Sequence, residues 1–114
     1  MQTIHSVKEN DNIFNFRLTR HCKERLKERV MNVGRLIEVI KNVPNDKLLN
    51  CDKDQILIVD EEHNLSFVLS YYEDEKFSFP GENIFYNVNI VTVMNKPDAI
   101  TSEKTKYKTF KLVI

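Results

Sequence analysis

One change of hydrophobic period, at Pro44, constrains this chain more than any other feature. Upstream of it, apolar residues recur at helical spacing. Cys22, Leu26 and Val30 fall at i, i+4 and i+8, and Val33, Leu36, Ile37, Ile40 and Val43 draw the face of a second helix. Downstream, the apolar residues alternate or run continuously between turn signals, which is the pattern of strands. A proline cannot continue a helix, so it predicts the end of helix two.

The flanking segments fill in the order. Residues 13–19 alternate apolar and polar, placing Phe14, Phe16 and Leu18 on one face of a first strand. Thr19 and Asn32 are suited to cap the two helices. Residues 55–60 and 65–72 read as a hairpin across the turn cluster 60–64. Residues 73–82 are polar and carry Pro80-Gly81, a loop. Residues 84–94 form a long apolar run suited to a central strand, and residues 106–114 alternate again as a last strand. The expected order is β-α-α-β-β-β-β: a single α+β domain over residues 1–114, with two helices on a four- to five-stranded, mostly antiparallel sheet. The expected core is Leu26, Leu36, Ile37, Ile40, Ile58, Phe67, Leu69, Val91 and Phe110.

Composition agrees with one modest core. The chain has 114 residues, of which 41% are apolar and 30% charged, as in an ordinary globular domain. No uncharged stretch is long and apolar enough to span a membrane, and no basic segment precedes an apolar one at the N-terminus as in a secretion signal. Cys22 and Cys51 lie outside any metal-site spacing and are expected as free thiols in a reducing cytoplasm.

A net charge of zero conceals an asymmetry. Residues 1–49 carry 10 basic and 6 acidic side chains, residues 50–82 carry 2 and 9, and residues 83–114 carry 5 and 2. The densest basic run lies between Arg17 and Arg29, on the first helix. Such a face attracts phosphates even in a neutral protein, although helix charges of this kind also serve simply as a solvated surface.

Within that run, His21, Arg25 and Arg29 stand at i, i+4 and i+8, so they share a stripe at the border of the apolar face. The combination suits metal-independent RNA cleavage. That reaction needs a base for the 2′-hydroxyl, an acid for the leaving oxygen and cations for the charge that builds on phosphate. Histidine titrates near neutral pH, and arginine grips a phosphate with two parallel hydrogen bonds. The stripe is expected to line a groove between the first helix and the sheet. The same spacing also arises on ordinary solvated helices, with the arginines paired to Glu24 and Glu28.

The segment from Phe16 to Val30, with its strand followed by H-x-x-x-R-x-x-x-R and a second helix, resembles the entry to the RelE-like small ribonuclease and toxin superfamily. The likeness extends to a phage endoribonuclease of that superfamily. The resemblance implies a RelE-like fold, His21 and Arg25 in the active site, and Arg29 more loosely beside them. It further implies RNA as substrate, including mRNA on the ribosome, a protein inhibitor or antitoxin as partner, and no metal or other cofactor. The phage enzyme carries a second functional histidine on helix two. The position that corresponds here is Lys41, which binds phosphate but is a poor base near neutral pH. Thr92, near the end of the long strand, is a further candidate by the same resemblance. His5 and His63 read as surface residues.

Two rivals remain at this point. A non-catalytic RelE-like binding module would use Phe77, Phe79, Phe85 and Tyr86 as a docking surface. A metal-dependent nuclease would use Asp52, Asp54 and Asp60 as Mg²⁺ ligands, although these residues read more readily as a solvated acidic loop and turn.

Overall fold

The computed structural model describes residues 2–28, 32–49, 55–79 and 81–94 in full, and the backbone of residues 108–113. The chain is α+β. Its elements are β1 (Gln2–Glu9), β2 (Asn12–Leu18), α1 (Arg20–Glu28), α2 (Val33–Ile40), α3 (Asn45–Leu49), β3 (Ile56–Asp60), β4 (Leu65–Glu73), β5 (Ile84–Met94) and β6 (Lys108–Val113). The strands form one six-stranded sheet in the order β1-β2-β5-β4-β3-β6.

Pairing corrects the expected sheet in two respects. β1 was not anticipated, and the sheet is mixed. The β1–β2, β3–β4 and β4–β5 ladders are antiparallel, whereas β2–β5 and β3–β6 are parallel. Short loops make antiparallel neighbours, as they do for β3 with β4. β2 and β5 are separated in sequence by three helices and a hairpin, a crossover long enough to bring two strands side by side in the same direction. The β1 strand carries no alternating signal in the sequence because its apolar residues, Ile4 and Val7, are three apart. A bulge between Thr3 and His5 absorbs the odd residue, and both side chains pack against the core.

Pro44 acts less as a stop than as a hinge. The helical residues of α2 end at Ile40, and Pro44 then opens α3, accepting hydrogen bonds from the Lys47 and Leu48 amides at 3.1 and 3.2 Å. Glu9 secures that short helix from the end of β1. Its carboxylate accepts from the Asn45 side chain and from the Asp46 amide, both at 3.0 Å.

All three helices pack on one face of the sheet. Phe14, Phe16 and Leu18 of β2, Cys22 and Leu26 of α1, Leu36, Val39 and Ile40 of α2, and Leu48 of α3 join inward residues of β3, β4 and β5 in one core. On α2 the fully buried partner of Leu36 and Ile40 is Val39, and Ile37 is only half-buried. Val91 likewise is half-buried, and belongs with Met94 to a small second cluster built on Leu57, Val59 and Val68 on the opposite face. Leu26, Ile58, Phe67 and Leu69 are buried as expected. The Phe110 side chain lies outside the described residues.

Among the described residues, one buried side-chain polar atom has no partner. The Ser70 hydroxyl, on a residue 2% exposed, makes no hydrogen bond. A buried unsatisfied hydroxyl carries its desolvation penalty uncompensated. Ser70→Ala is therefore expected to raise stability by about 1 kcal/mol, read from denaturant midpoints. A drop in stability would contradict this assignment.

Candidate functional site

The strands β2, β5 and β3 run in the same direction, and their carboxyl ends meet at one end of the sheet. Leu18 pairs with Ile90, β5 continues to Met94 opposite Ser66, and Asp60 pairs with Leu65 across the β3–β4 hairpin. At this end α1 begins. Its first turn is pinned by Thr19, whose hydroxyl lies 3.1 Å from both the Ile90 and Val91 carbonyls and accepts the Cys22 amide at 3.1 Å. The Thr19 amide also donates to the Ile90 carbonyl at 3.3 Å. A register shift in the β4–β5 ladder falls at this point and makes Val91 an extra residue, which turns these carbonyls toward the helix start. Thr19 thus caps α1 and ties it to β5, as the sequence predicts for the cap.

The helix period then sets what each side of α1 presents. Cys22 and Leu26 enter the core. Burial pushes the Cys22 thiol up to about 11, so it stays protonated and unreactive near neutral pH. One flank carries His21 and Arg25, which touch: Arg25 Nε donates to His21 Nε2 at 3.3 Å. Arg25 also reaches Glu28, Nη1 to Oε2 at 3.2 Å, a pair too exposed to hold it rigidly. His21 is exposed and Arg25 is half-buried. Arg29 lies outside the described residues.

The opposite flank carries Lys23 and Lys27, and the groove is there. A cleft of about 730 Å³ is lined by these lysines with Gln2, Leu18, Leu26, Asn32 and Val33. The expected groove beside α1 exists, but lysines line it rather than the histidine–arginine stripe. Two flanks border the apolar face of any amphipathic helix, and their spacing does not tell which of them meets a cleft.

The other predicted residues are dispersed. Thr92 pairs with Val68, whose side chain lies in the cluster on the helix-free face, so Thr92 is directed away from the core that holds α1. Among the described residues no hydrogen bond joins Thr92 to His21. Lys41 is exposed at the C-cap of α2. His5 stands on β1 beside Phe16, with ring centroids 6.3 Å apart, and is half-buried against the core. Asp52, Asp54 and Cys51 lie outside the described residues.

The sequence reads His63 as a surface residue, but the structure builds it into the fold. It follows Asp60, which ends β3 and is 1% exposed. Asp60 Oδ1 accepts the His63 amide at 3.0 Å, and Oδ2 lies 2.8 Å from His63 Nδ1. Arg35, from the first turn of α2, donates to the His63 carbonyl. An aspartate at a strand end, three residues before a histidine in a four-residue turn, is the sequence signal for this pair. In sequence it is masked by the surrounding acidic run.

The structure brings His21 to Arg25 on α1 and, separately, His63 to Asp60 and Arg35. Among the described residues there is no group of three or more metal-ligating side chains. Comparison with known protein families, with curated proteins and with solved structures finds no match to this chain.

Proposed function

We propose that this chain is a RelE-like endoribonuclease that cuts RNA without a metal, with His21 moving a proton and Arg25 holding the scissile phosphate. The observation that carries the reading is the 3.3 Å contact between Arg25 Nε and His21 Nε2 on an exposed flank of α1. It places an imidazole beside a guanidinium that, among the described residues, also meets Glu28. The strand–helix–helix entry leading into an α+β sheet supports the RelE-like assignment. In this reading the substrate class is RNA, including ribosome-bound mRNA in the cytoplasm. Arg29 and Lys41 extend the phosphate track, and a protein inhibitor regulates the activity. No helix among the described residues is long and apolar enough to cross a membrane.

The phosphate role of Arg25 is directly testable. Arg25→Ala is expected to weaken both RNA binding and cleavage. Each phosphate contact to single-stranded RNA contributes about 0.7 to the slope of log affinity against log salt. The variant's slope is therefore expected to be shallower by about that amount, with the deficit shrinking at high salt. Arg25→Lys restores only part of the loss, because a point charge lacks the two-pronged grip. Identical salt slopes for wild type and Arg25→Ala would contradict the assignment.

A second reading, a non-catalytic binding module, is favoured by one observation. Tyr72, Phe77 and Phe79 are 54%, 60% and 58% exposed. Exposed aromatics in a group mark interaction surfaces. They sit with Glu73, Glu75 and Glu82 at the end of the sheet away from α1, and this rim suits a basic protein partner. Purified protein that binds RNA or such a partner in EDTA but never cleaves RNA would favour it.

A further inference from the structure

The loop between β4 and β5 satisfies its own polar groups and turns its aromatic side chains outward. The Asp74 amide donates to the Phe85 carbonyl at 2.7 Å. The Asp74 carbonyl accepts the Phe77 and Ser78 amides, both at 3.2 Å, and the Ser78 hydroxyl at 2.8 Å. That hydroxyl in turn accepts the Phe85 amide at 2.9 Å. The Asp74 carboxylate takes the Lys76 amide at 3.2 Å and the Asn87 side chain at 3.3 Å. With its polar groups spent on itself and on β5, the loop still leaves Phe77 and Phe79 60% and 58% exposed. A loop held in this way presents its rings in one arrangement, so a partner meets them without the entropy cost of ordering them.

Beside Phe79 the surface is concave. A notch of about 380 Å³ is lined by Phe79, Ile84, Ser78, Glu73 and Glu75. The lining joins an aromatic ring and an aliphatic side chain to two carboxylates. Glu73, Asp74, Glu75 and Glu82 stand within this short segment against one cation, Lys76. Among the described residues neither Glu73 nor Glu75 forms an ion pair. Their field reaches the sheet: burial first, then the Glu73 and Asp46 carboxylates, push the Tyr86 hydroxyl up from its ordinary value. An apolar wall beside carboxylates without cations complements a side chain with an apolar stem and a cationic end. Arginine suits it better than lysine, because a planar guanidinium stacks on a ring and donates to carboxylates through parallel bonds.

We propose that this notch binds a single arginine side chain of a basic protein partner, with the Phe79 ring against the guanidinium and the Glu73 and Glu75 carboxylates pairing with it. The proposal rests on the reading of this rim as a surface for a basic protein, and it is independent of the RNA chemistry assigned to α1. Phe77, edge-on to Phe85 at 6.3 Å, extends the apolar surface for the residues that flank the arginine.

The test titrates isotope-labelled full-length protein with a short peptide of alternating arginine and glycine, with its lysine counterpart and with its glutamate counterpart, reading backbone amide shifts by NMR. The arginine peptide is expected to move the amides of Glu73, Glu75, Ser78, Phe79 and Ile84, and the glutamate peptide to move none of them. The lysine peptide is expected to bind about 2–5-fold more weakly, and Phe79→Leu, which keeps an apolar wall but removes the ring, to weaken the arginine peptide by a similar factor. The double variant Glu73→Gln/Glu75→Gln is expected to weaken it by about 2–5-fold for each carboxylate removed, with the difference from wild type closing as salt is raised. All three substituted residues are exposed, so the variants are expected to keep the dispersed spectrum of the wild type. Rim shifts of equal strength with arginine and lysine, unchanged in Phe79→Leu, would overturn the arginine notch and leave the rim as a general surface for basic proteins. No shift at the rim with either basic peptide would overturn both. Rim shifts that follow protein concentration without any peptide would give the surface to a second copy of this chain and overturn the proposal.

Discussion

Replacing His21 by alanine is expected to slow RNA cleavage by about 10²–10⁴-fold, the size of a lost proton-transfer group, and to leave RNA binding nearly intact. The two effects separate because of what each side chain does. His21 is exposed and meets Arg25 through a single nitrogen, so removing the ring takes no packing from the core and leaves the guanidinium in place for phosphate. The loss therefore appears in kcat with little change in KM, the signature of an interaction made in the transition state. Arg25→Ala gives the complementary pattern, a salt-dependent loss in binding together with the loss in rate. Thermal stability of the His21 variant is expected to match wild type, since substitutions at exposed positions rarely shift it by more than about 0.5 kcal/mol. A His21→Ala protein with wild-type cleavage would remove the imidazole from the chemistry.

Phe14→Ala is expected to cost about 3–5 kcal/mol of folding stability, a large share of the 5–15 kcal/mol that holds a domain together. Phe14 is 0% exposed at the centre of β2. Its ring stacks on Tyr86 of β5 at 5.4 Å and meets Tyr71 of β4 edge-on at 6.1 Å. The Tyr71 hydroxyl in turn donates to Asn45 of α3 at 2.7 Å. One side chain thus joins three strands and, through Tyr71, the base of the helical layer. Truncation leaves a cavity that rigid neighbouring strands cannot close. Phe77→Ala is the control: Phe77 is 60% exposed, and its loss is expected to change stability by less than about 0.5 kcal/mol. Equal melting temperatures for the two variants would show that the core is placed wrongly.

What the sequence made legible follows from how local each signal is. The alternation of Phe14, Phe16 and Leu18, the Cys22–Leu26 stripe, the Asn32 cap and the 65–72 strand are each carried by residues within one or two turns of one another, and each has its counterpart in the structure. Asn32 accepts the Gly34 amide at 2.7 Å, as a cap should. α3 was not legible because its N-terminus is satisfied by Glu9, far away in sequence. β1 was hidden by its bulge, and the parallel pairing of β2 with β5 depends on where a long crossover lands. The candidate site divides in the same way. The His21–Arg25 contact follows directly from an i,i+4 spacing on a helix. The cleft beside Lys23 and Lys27 depends on how α1 sits against β1 and α2. His63 could not be distinguished from a surface turn, because its contact with Asp60 rests on the burial of that carboxylate, which only the packed sheet creates.

The most direct measurement of the central claim is the chemistry of the cut ends. Single-stranded RNA incubated with the purified protein in EDTA, with the fragments analysed by mass spectrometry, reads the mechanism without reference to any variant. Histidine acid–base cleavage with the phosphate held by Arg25 predicts fragments ending in a 2′,3′-cyclic phosphate and beginning with a 5′-hydroxyl, formed at full rate without metal. Intact RNA in EDTA, or cleavage that appears only when Mg²⁺ is restored and leaves 5′-phosphate ends, would contradict the account.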